Sequence, residues 1–254
     1  MPMPHKIIAN ADDLGYSTSV NTAILHCFEH GYINSASLMT NMGGFEEAAN
    51  LVHEKPVIRN IGVHVNFAEG RPLTNLKGNY FDDEGNWDVH KTNRVLNTLN
   101  SAGKSAFLKE INAQIDKALA EKIPVSHLDS HLHLHTFPYL FQLFLTAAKQ
   151  YNLKLRLAQT YMEGSYLKYY YRKYINSLIK KSDLNYSDRF ETVDQLLQHT
   201  RQHSPELTVE IMLHPSFNSS GELIDHCDPS AMVHWITSLE KQTDTNPLIR
   251  PSAQ

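Results

Sequence analysis

Two cysteines, Cys27 and Cys227, are all that the 254 residues contain, so no dense disulfide framework organises the chain. That scarcity suits a reducing cytoplasm and leaves one bridge between the pair open. No stretch approaches the roughly 18 apolar residues needed to cross a bilayer, so no membrane span is expected. The opening MPMPHKIIANADD has a very short apolar run followed by charge, unlike a signal peptide. Positive charge is not in excess either. Lys and Arg number 23 against 27 Asp and Glu, a formal net charge of -4, without the basic footprint of a nucleic-acid binder. Repeats, low-complexity tracts and obvious linkers are missing too. What is present is 41% apolar residues, enough for a sizeable core.

Short apolar runs alternate with longer amphipathic stretches, the pattern of βα units on a parallel sheet. Strands are expected at 6–9, 35–39, 61–67, 125–129, 154–158 and 208–213, six in number with room for a seventh. Helices are expected at 17–30, 45–54, 107–121, 138–151, 192–202 and 229–241. Ser17 or Ser19 caps the first helix and Gly31 ends it; Pro56 stops the second. The stretch 68–103 is turn-rich, with too few periodic apolar positions to assign. An amphipathic helix at 161–181 reads as an insertion. The fold expected is a deformed, TIM-like βα barrel of six or seven strands, one domain spanning 1–254.

Polar residues gather on one face of three strands. Alternate positions of 125–135 give Val125, His127, Asp129, His131, His133 and His135, opposed by Ser126, Leu128, Ser130, Leu132 and Leu134. A period of two places these sets on opposite sides of an extended segment, leucines towards the helix layer and histidines towards the barrel interior. Gly62, His64 and Asn66 oppose Ile61, Val63 and Val65, and Glu210, Met212 and His214 oppose Val209, Ile211 and Leu213. Asp12 and Asp13 follow the first strand. In a βα barrel the C-terminal strand ends share one rim, where active sites are built. Four segments therefore deliver carboxylates and imidazoles to one mouth. Asp-Asp alone reads as a solvated turn or helix cap, and His64 alone as a structural residue. Three alternating histidines are harder to explain without a ligand, though some of them belong behind the ligands rather than among them.

A carboxylate with two neutral imidazoles forms a shell for one divalent ion with positions left for water and substrate. Such an ion acidifies water and polarises a carbonyl, and an adjacent free carboxylate serves as general base. The same shell describes non-haem iron oxygenases, although an oxygenase needs no neighbouring base. A non-catalytic sugar-binding protein that retains the shell is the other alternative.

Asn10-Ala11-Asp12-Asp13-Leu14-Gly15, Gly62-Val63-His64, Gly70-Arg71-Pro72-Leu73, His127 to His135 with Phe137-Pro138, and Glu210-Ile211-Met212-Leu213-His214-Pro215 resemble, in order, the YdjC-like carbohydrate deacetylases. The resemblance implies removal of acetyl groups from N-acetylated sugars such as chitooligosaccharides. Carried over by position, Asp13, His64 and His131 resemble the metal ligands and Asp12 the catalytic base. His214 resembles the histidine that protonates the leaving amine. Arg156 is the expected partner of Asp12, with Asp129, His133 and His135 in support. Two imidazoles favour zinc, whereas family usage points to magnesium. Leu14 departs from the phenylalanine common after the Asp pair, and 161–181 has no clear family counterpart. In that segment Leu167, Tyr170, Tyr171, Tyr174, Leu178 and Ile179 recur at helical spacing, pointing to core or homodimer packing, with Lys168, Arg172 and Lys173 solvated. Trp87 is a candidate sugar platform or a buried anchor.

Overall fold

The computed structural model describes residues 6–199 and 206–245, with side chains as far as residue 241. Seven strands form one parallel sheet: β1 (Lys6–Leu14), β2 (Ser35–Leu38), β3 (Ile61–Val65), β4 (His127–Ser130), β5 (Lys154–Leu155), β6 (Arg189–Glu191) and β7 (Thr208–Leu213). Their spatial order is β5-β4-β3-β2-β1-β7-β6. The edge strands do not pair, yet the chain beyond β5 reaches β6: Thr160 N–H and Oγ1 donate to the Phe190 carbonyl at 3.0 and 3.1 Å. The sheet thus curls almost to closure, as a deformed βα barrel. A two-stranded ribbon, β8 (Pro215–Phe217) and β9 (Leu223–Asp225), follows β7 directly.

The outward positions of the strands supply the core. Ala9, Ala11, Val63, Leu128, Val209, Ile211 and Leu213 are all buried against the helix layer. Inward positions are mostly small or polar, Met212 and Phe190 excepted, and one of them sets a spacing. A Cβ on Gly62 would stand 2.3 Å from the His127 ring, so β3 and the base of β4 approach this closely only with glycine there.

The helices are α1 (Thr18–Glu29), α2 (Phe45–Glu54), α3 (Val89–Thr92), α4 (Ser101–Ala120), α5 (Phe141–Tyr151), α6 (Tyr166–Lys180), α7 (Val193–His199) and α8 (Pro229–Thr245). Ser17 caps α1 by accepting from Val20 N–H, and Gly31 follows it at φ 70°. The expected end of α7 at 200–202 lies outside the described residues.

Several expectations are corrected. α4 starts six residues before Phe107, because Asn100 caps it through Gly103 N–H while its first turns carry no buried apolar side chain. β6 went unrecognised because its three residues, Arg-Phe-Glu, are too few to show a period. On α6 the buried residues are Arg172, Ile175, Asn176 and Ile179, rotated from the expected stripe. Leu167 is 82% exposed, Tyr170 62% and Tyr174 60%. Asn176 explains the rotation: its amide donates to the Ala158 carbonyl and accepts from Ala158 N–H, both at 2.9 Å. Arg172, expected in solvent, pairs instead with Glu163 at 3.0 Å. Trp87 is a buried anchor, its ring packed against Phe67, Phe81 and Phe107.

Candidate metal and catalytic site

β1 runs through Asp12 and Asp13 rather than ending before them. Neighbouring residues of a regular strand point to opposite faces, which would separate the two carboxylates. The β1–β2 register shifts between Ala11 and Leu14, and Asp13 sits at φ 69°. This bulge re-aims its side chain, so that both carboxylates line one cavity of about 680 Å3. The turn is completed by Gly15 at φ 85°, where a Cβ would meet the Met39 carbonyl oxygen at 2.8 Å.

The histidine run is not one extended face. β4 stops at Ser130, and a short 3-10 segment, His131–Thr136, follows with Leu132 and His133 at φ 54° and 55°. Left-handed backbone at non-glycine residues costs on the order of 1–3 kcal/mol each, and here it clusters on the cavity wall. Alternation fails beyond Ser130: Leu128 and Leu134 are buried as expected, but Leu132 is 42% exposed. His131 turns to Asp13, while His135 turns back to the Ser130 hydroxyl, Nδ1 to Oγ 2.8 Å. His133 lines the cavity, and its buried Nδ1 has no hydrogen-bond partner.

Asp13, His64 and His131 each direct a ligand atom into one space, all three within 4.8 Å of one another. Asp13 Oδ1 is 3.3 Å from His64 Nε2 and 2.9 Å from His131 Nδ1. Donors sharing a cation at ordinary bond lengths stand roughly 3–3.4 Å apart, so the donor set fits one divalent ion. Behind His64, Asp129 Oδ1 holds Nδ1 at 2.8 Å, which fixes the ring and leaves Nε2 facing Asp13. Without a cation, burial resists a charge on His64 but Asp129 and Asp12 override it, raising its pKa to about 10. Burial likewise opposes charge on Asp13, but His131 and His64 hold its carboxyl far below the usual range.

Asp12 is almost wholly buried and gripped by Arg156 through both terminal guanidinium nitrogens, each at 2.8 Å. Asn10 Nδ2 also donates to Oδ1 at 2.8 Å, so Oδ1 is occupied and Oδ2 is the freer oxygen. Arg156 itself is fully buried, with Asp129 Oδ2 and Glu210 Oε1 each at 2.7 Å. Burial disfavours these charges, yet Arg156 keeps Asp12 and Asp129 below the normal carboxylate range. Lys154 and Arg156 do the same for Glu210. Asn10 and Glu210 stand in the sequence motifs, but the sequence assigns them no role. Each stands two residues from an inward-facing neighbour, Asp12 or Met212, which was the available signal.

Removing one cation from three buried anions is severe. Arg156→Met is expected to cost about 3–5 kcal/mol in urea unfolding of metal-free protein at pH 7, the usual result of stripping one partner from a buried pair. All three carboxylates have folded pKa values below their unfolded values of roughly 4. Their contribution is therefore present above that range and lost as pH falls through the folded values. The gap between wild type and variant must narrow below about pH 4. A gap of the same size at both pH values would refute this account.

His214 closes β7, its Nε2 3.9 Å from Asp12 Oδ2. Asp225, at the end of β9, lies 3.5 Å from His214 Nδ1 and accepts the His214 backbone N–H at 2.6 Å. Burial opposes the imidazolium, but Asp225, Cys227 and Asp12 raise its pKa well above the ordinary value. Asp225 carried no sequence signal; the ribbon that delivers it has no motif.

The curled parallel βα sheet thus carries, at its strand ends, an Asp/His/His cluster that could hold one metal ion. The profile described as "YdjC-like protein" matches residues 6–253, and the chain belongs to that family. A carbohydrate deacetylase of Brevibacillus brevis is 31% identical over 84% of this chain and 82% of its own length. One from Vibrio cholerae serotype O1 is 31% identical over 92% and 89%. A solved structure from Enterococcus faecalis V583, assigned a supposed role in cellobiose-phosphate cleavage, shares the fold. Its TM-score is 0.70 at 21% identity, covering 94% of each chain.

Proposed function

We propose that this chain is a metal-dependent carbohydrate N-deacetylase, hydrolysing the acetamide of an N-acetylated sugar. The observation that carries the reading is the paired geometry. A three-ligand cluster, Asp13, His64 and His131, shares its cavity with the Asp12 carboxylate and the His214 imidazole. The curated relatives named above act on carbohydrate acetyl groups by their names, which supports the same substrate class here.

Asp13, His64 and His131 would hold one divalent cation, zinc or magnesium, which would supply Lewis-acid polarisation of the acetamide oxygen and lower the pKa of water. Arg156 and Asn10 fix Asp12 so that Oδ2 faces the cavity and receives the proton of the attacking water. His214 Nε2, 3.9 Å from Asp12 Oδ2, delivers a proton to the departing nitrogen. Asp129 holds His64, and Asp225 holds His214. A glycosidase needs two carboxyl groups flanking the bond, ~5–9.5 Å apart. Here one of the adjacent carboxylates belongs to the ligand set and the other pairs with an imidazole, which suits water attack on a carbonyl. An oxygenase would have no use for Asp12. Among the described residues no helix is long and apolar enough to cross a membrane.

Mass spectrometry of products from N-acetylglucosamine oligomers tests the reaction. The expected result is loss of one acetyl group with the chain intact and an equivalent of acetate. Shortened, fully acetylated chains would sink the reading.

His214 must be protonated to act, so turnover is lost as pH rises through its pKa in the complex. Asp225→Asn removes the leading hydrogen bond that raises that pKa while burial, which lowers it, stays. The alkaline limb of kcat should therefore move to lower pH. An unmoved limb would mean that Asp225 only anchors the ribbon.

A further inference from the structure

His214 and Cys227 line the same cavity as Asp13, His64 and His131, and the buried Asp225 stands behind them. Ligand atoms of His214, Asp225 and Cys227 lie within 4.8 Å of one another. Their backbone is fixed before any ion arrives. Asp225 Oδ1 accepts the N–H of Cys227 at 2.9 Å and of Asp228 at 3.0 Å, and Oδ2 accepts that of His214 at 2.6 Å. Asp225 pairs with Pro215 across the β8–β9 ribbon, and His226 N–H returns to the His214 carbonyl at 2.8 Å. One carboxylate thus ties together the chain segments that carry the other two donors. Cys227 is exposed on the cavity wall, its thiol within 4.8 Å of a His214 ring nitrogen. Cys27 is no rival, being buried in the core, where desolvation and then Asp225 push its thiol up to about 12.

The donor chemistry differs from that of the first cluster. Imidazole, carboxylate and thiolate with an open position form a three-ligand set for zinc-class ions, whereas magnesium prefers oxygen ligands alone. We propose that His214, Asp225 and Cys227 form a second, thiolate-bearing site for a soft divalent cation of the zinc class. Binding breaks the Cys227 S–H bond, the electron pair goes to the metal and the proton to solvent. It also takes Nδ1 of His214, leaving a ring that cannot become the imidazolium. Excess zinc then inhibits the magnesium-loaded enzyme, a consequence that rests on the role given to His214 above; the binding itself does not.

Cadmium titration of untagged protein tests the site, with bound metal counted after desalting and thiolate-to-cadmium charge-transfer absorption followed in the ultraviolet. Wild type should bind two cadmium ions per chain and show the absorption. Cys227→Ser should bind one without it. Asp13→Ala should keep one ion and the full absorption, which separates this site from the first and serves if the cysteine variant fails to fold. Zinc inhibition in Cys227→Ser should need about tenfold more metal, equivalent to about 1.4 kcal/mol. Two ions in Cys227→Ser, or no thiolate absorption in wild type and Asp13→Ala, would overturn the proposal. Normal cadmium behaviour with unchanged zinc inhibition would leave the site standing and count against His214 as the acid.

Discussion

His131→Ala, His64→Ala and Asp13→Ala proteins should each emerge from metal loading nearly empty and inactive. Losing a group that merely stands behind a ligand costs roughly 10–100-fold in metal affinity, and removing a ligand should exceed that. Asp129→Asn is the internal standard. It disturbs the carboxylate 2.8 Å from His64 Nδ1 but leaves the three donors in place, so its loss should fall within that span. His133→Ala should do less, since no ligand atom of His133 belongs to the cluster among the described residues. Metal analysis after dialysis gives one readout. The other is the rise in melting temperature on adding metal, present only where the folded state binds it. Full occupancy in His131→Ala would force another ligand set; one oxygen donor at hand is Glu69, whose Oε1 stands 3.8 Å from His131 Nε2.

Much of the barrel was legible because each long strand declares its two faces. β3 and β7 alternate cleanly, and His64 and His214 stand where the alternation puts them, inward and late. The helices with apolar stripes, α2 above all, were equally plain. Elements set by contacts rather than pattern were not. The Asp12–Asp13 pair shares a cavity only because of a bulge and one residue at positive φ, and residue identity does not reveal a left-handed aspartate. The His-x-His-x-His run suggested a strand face because alternation is its only visible feature, yet the left-handed turn at Leu132 and His133 ends the strand inside it. On α6, Tyr170 and Tyr174 imitate a buried stripe, but the hydrogen bonds of Asn176 to Ala158 decide which side faces in. Arg156 was legible as a partner of Asp12, but its simultaneous hold on Asp129 and Glu210 depends on three strands meeting.

Asp12→Asn should keep its metal and lose turnover by a factor on the order of 10² to 10⁴, the usual worth of general acid–base catalysis. The substitution is nearly isosteric and Asp12 is absent from the Asp13, His64 and His131 cluster, so the ligand set survives. Two costs accompany it and must be separated from the chemistry. Arg156 loses one of its three carboxylate partners, but Asp129 and Glu210 remain at 2.7 Å, so a charged neighbour still balances the guanidinium. His214 loses the anion 3.9 Å away, which contributed to raising its pKa, so the alkaline limb shifts somewhat as well. Measuring kcat across pH and comparing plateau values removes that second effect. Single-turnover rates with metal content determined on the same sample remove the first. If the plateau falls while metal stays bound and KM changes little, the lost interaction belongs to the transition state. Asp13→Asn should behave differently, losing metal and turnover together. A fully active, metal-loaded Asp12→Asn enzyme would hand the role of base to another group on the cavity wall. The first to test would be His133, whose Nδ1 has no partner and whose pKa burial holds well below its ordinary value.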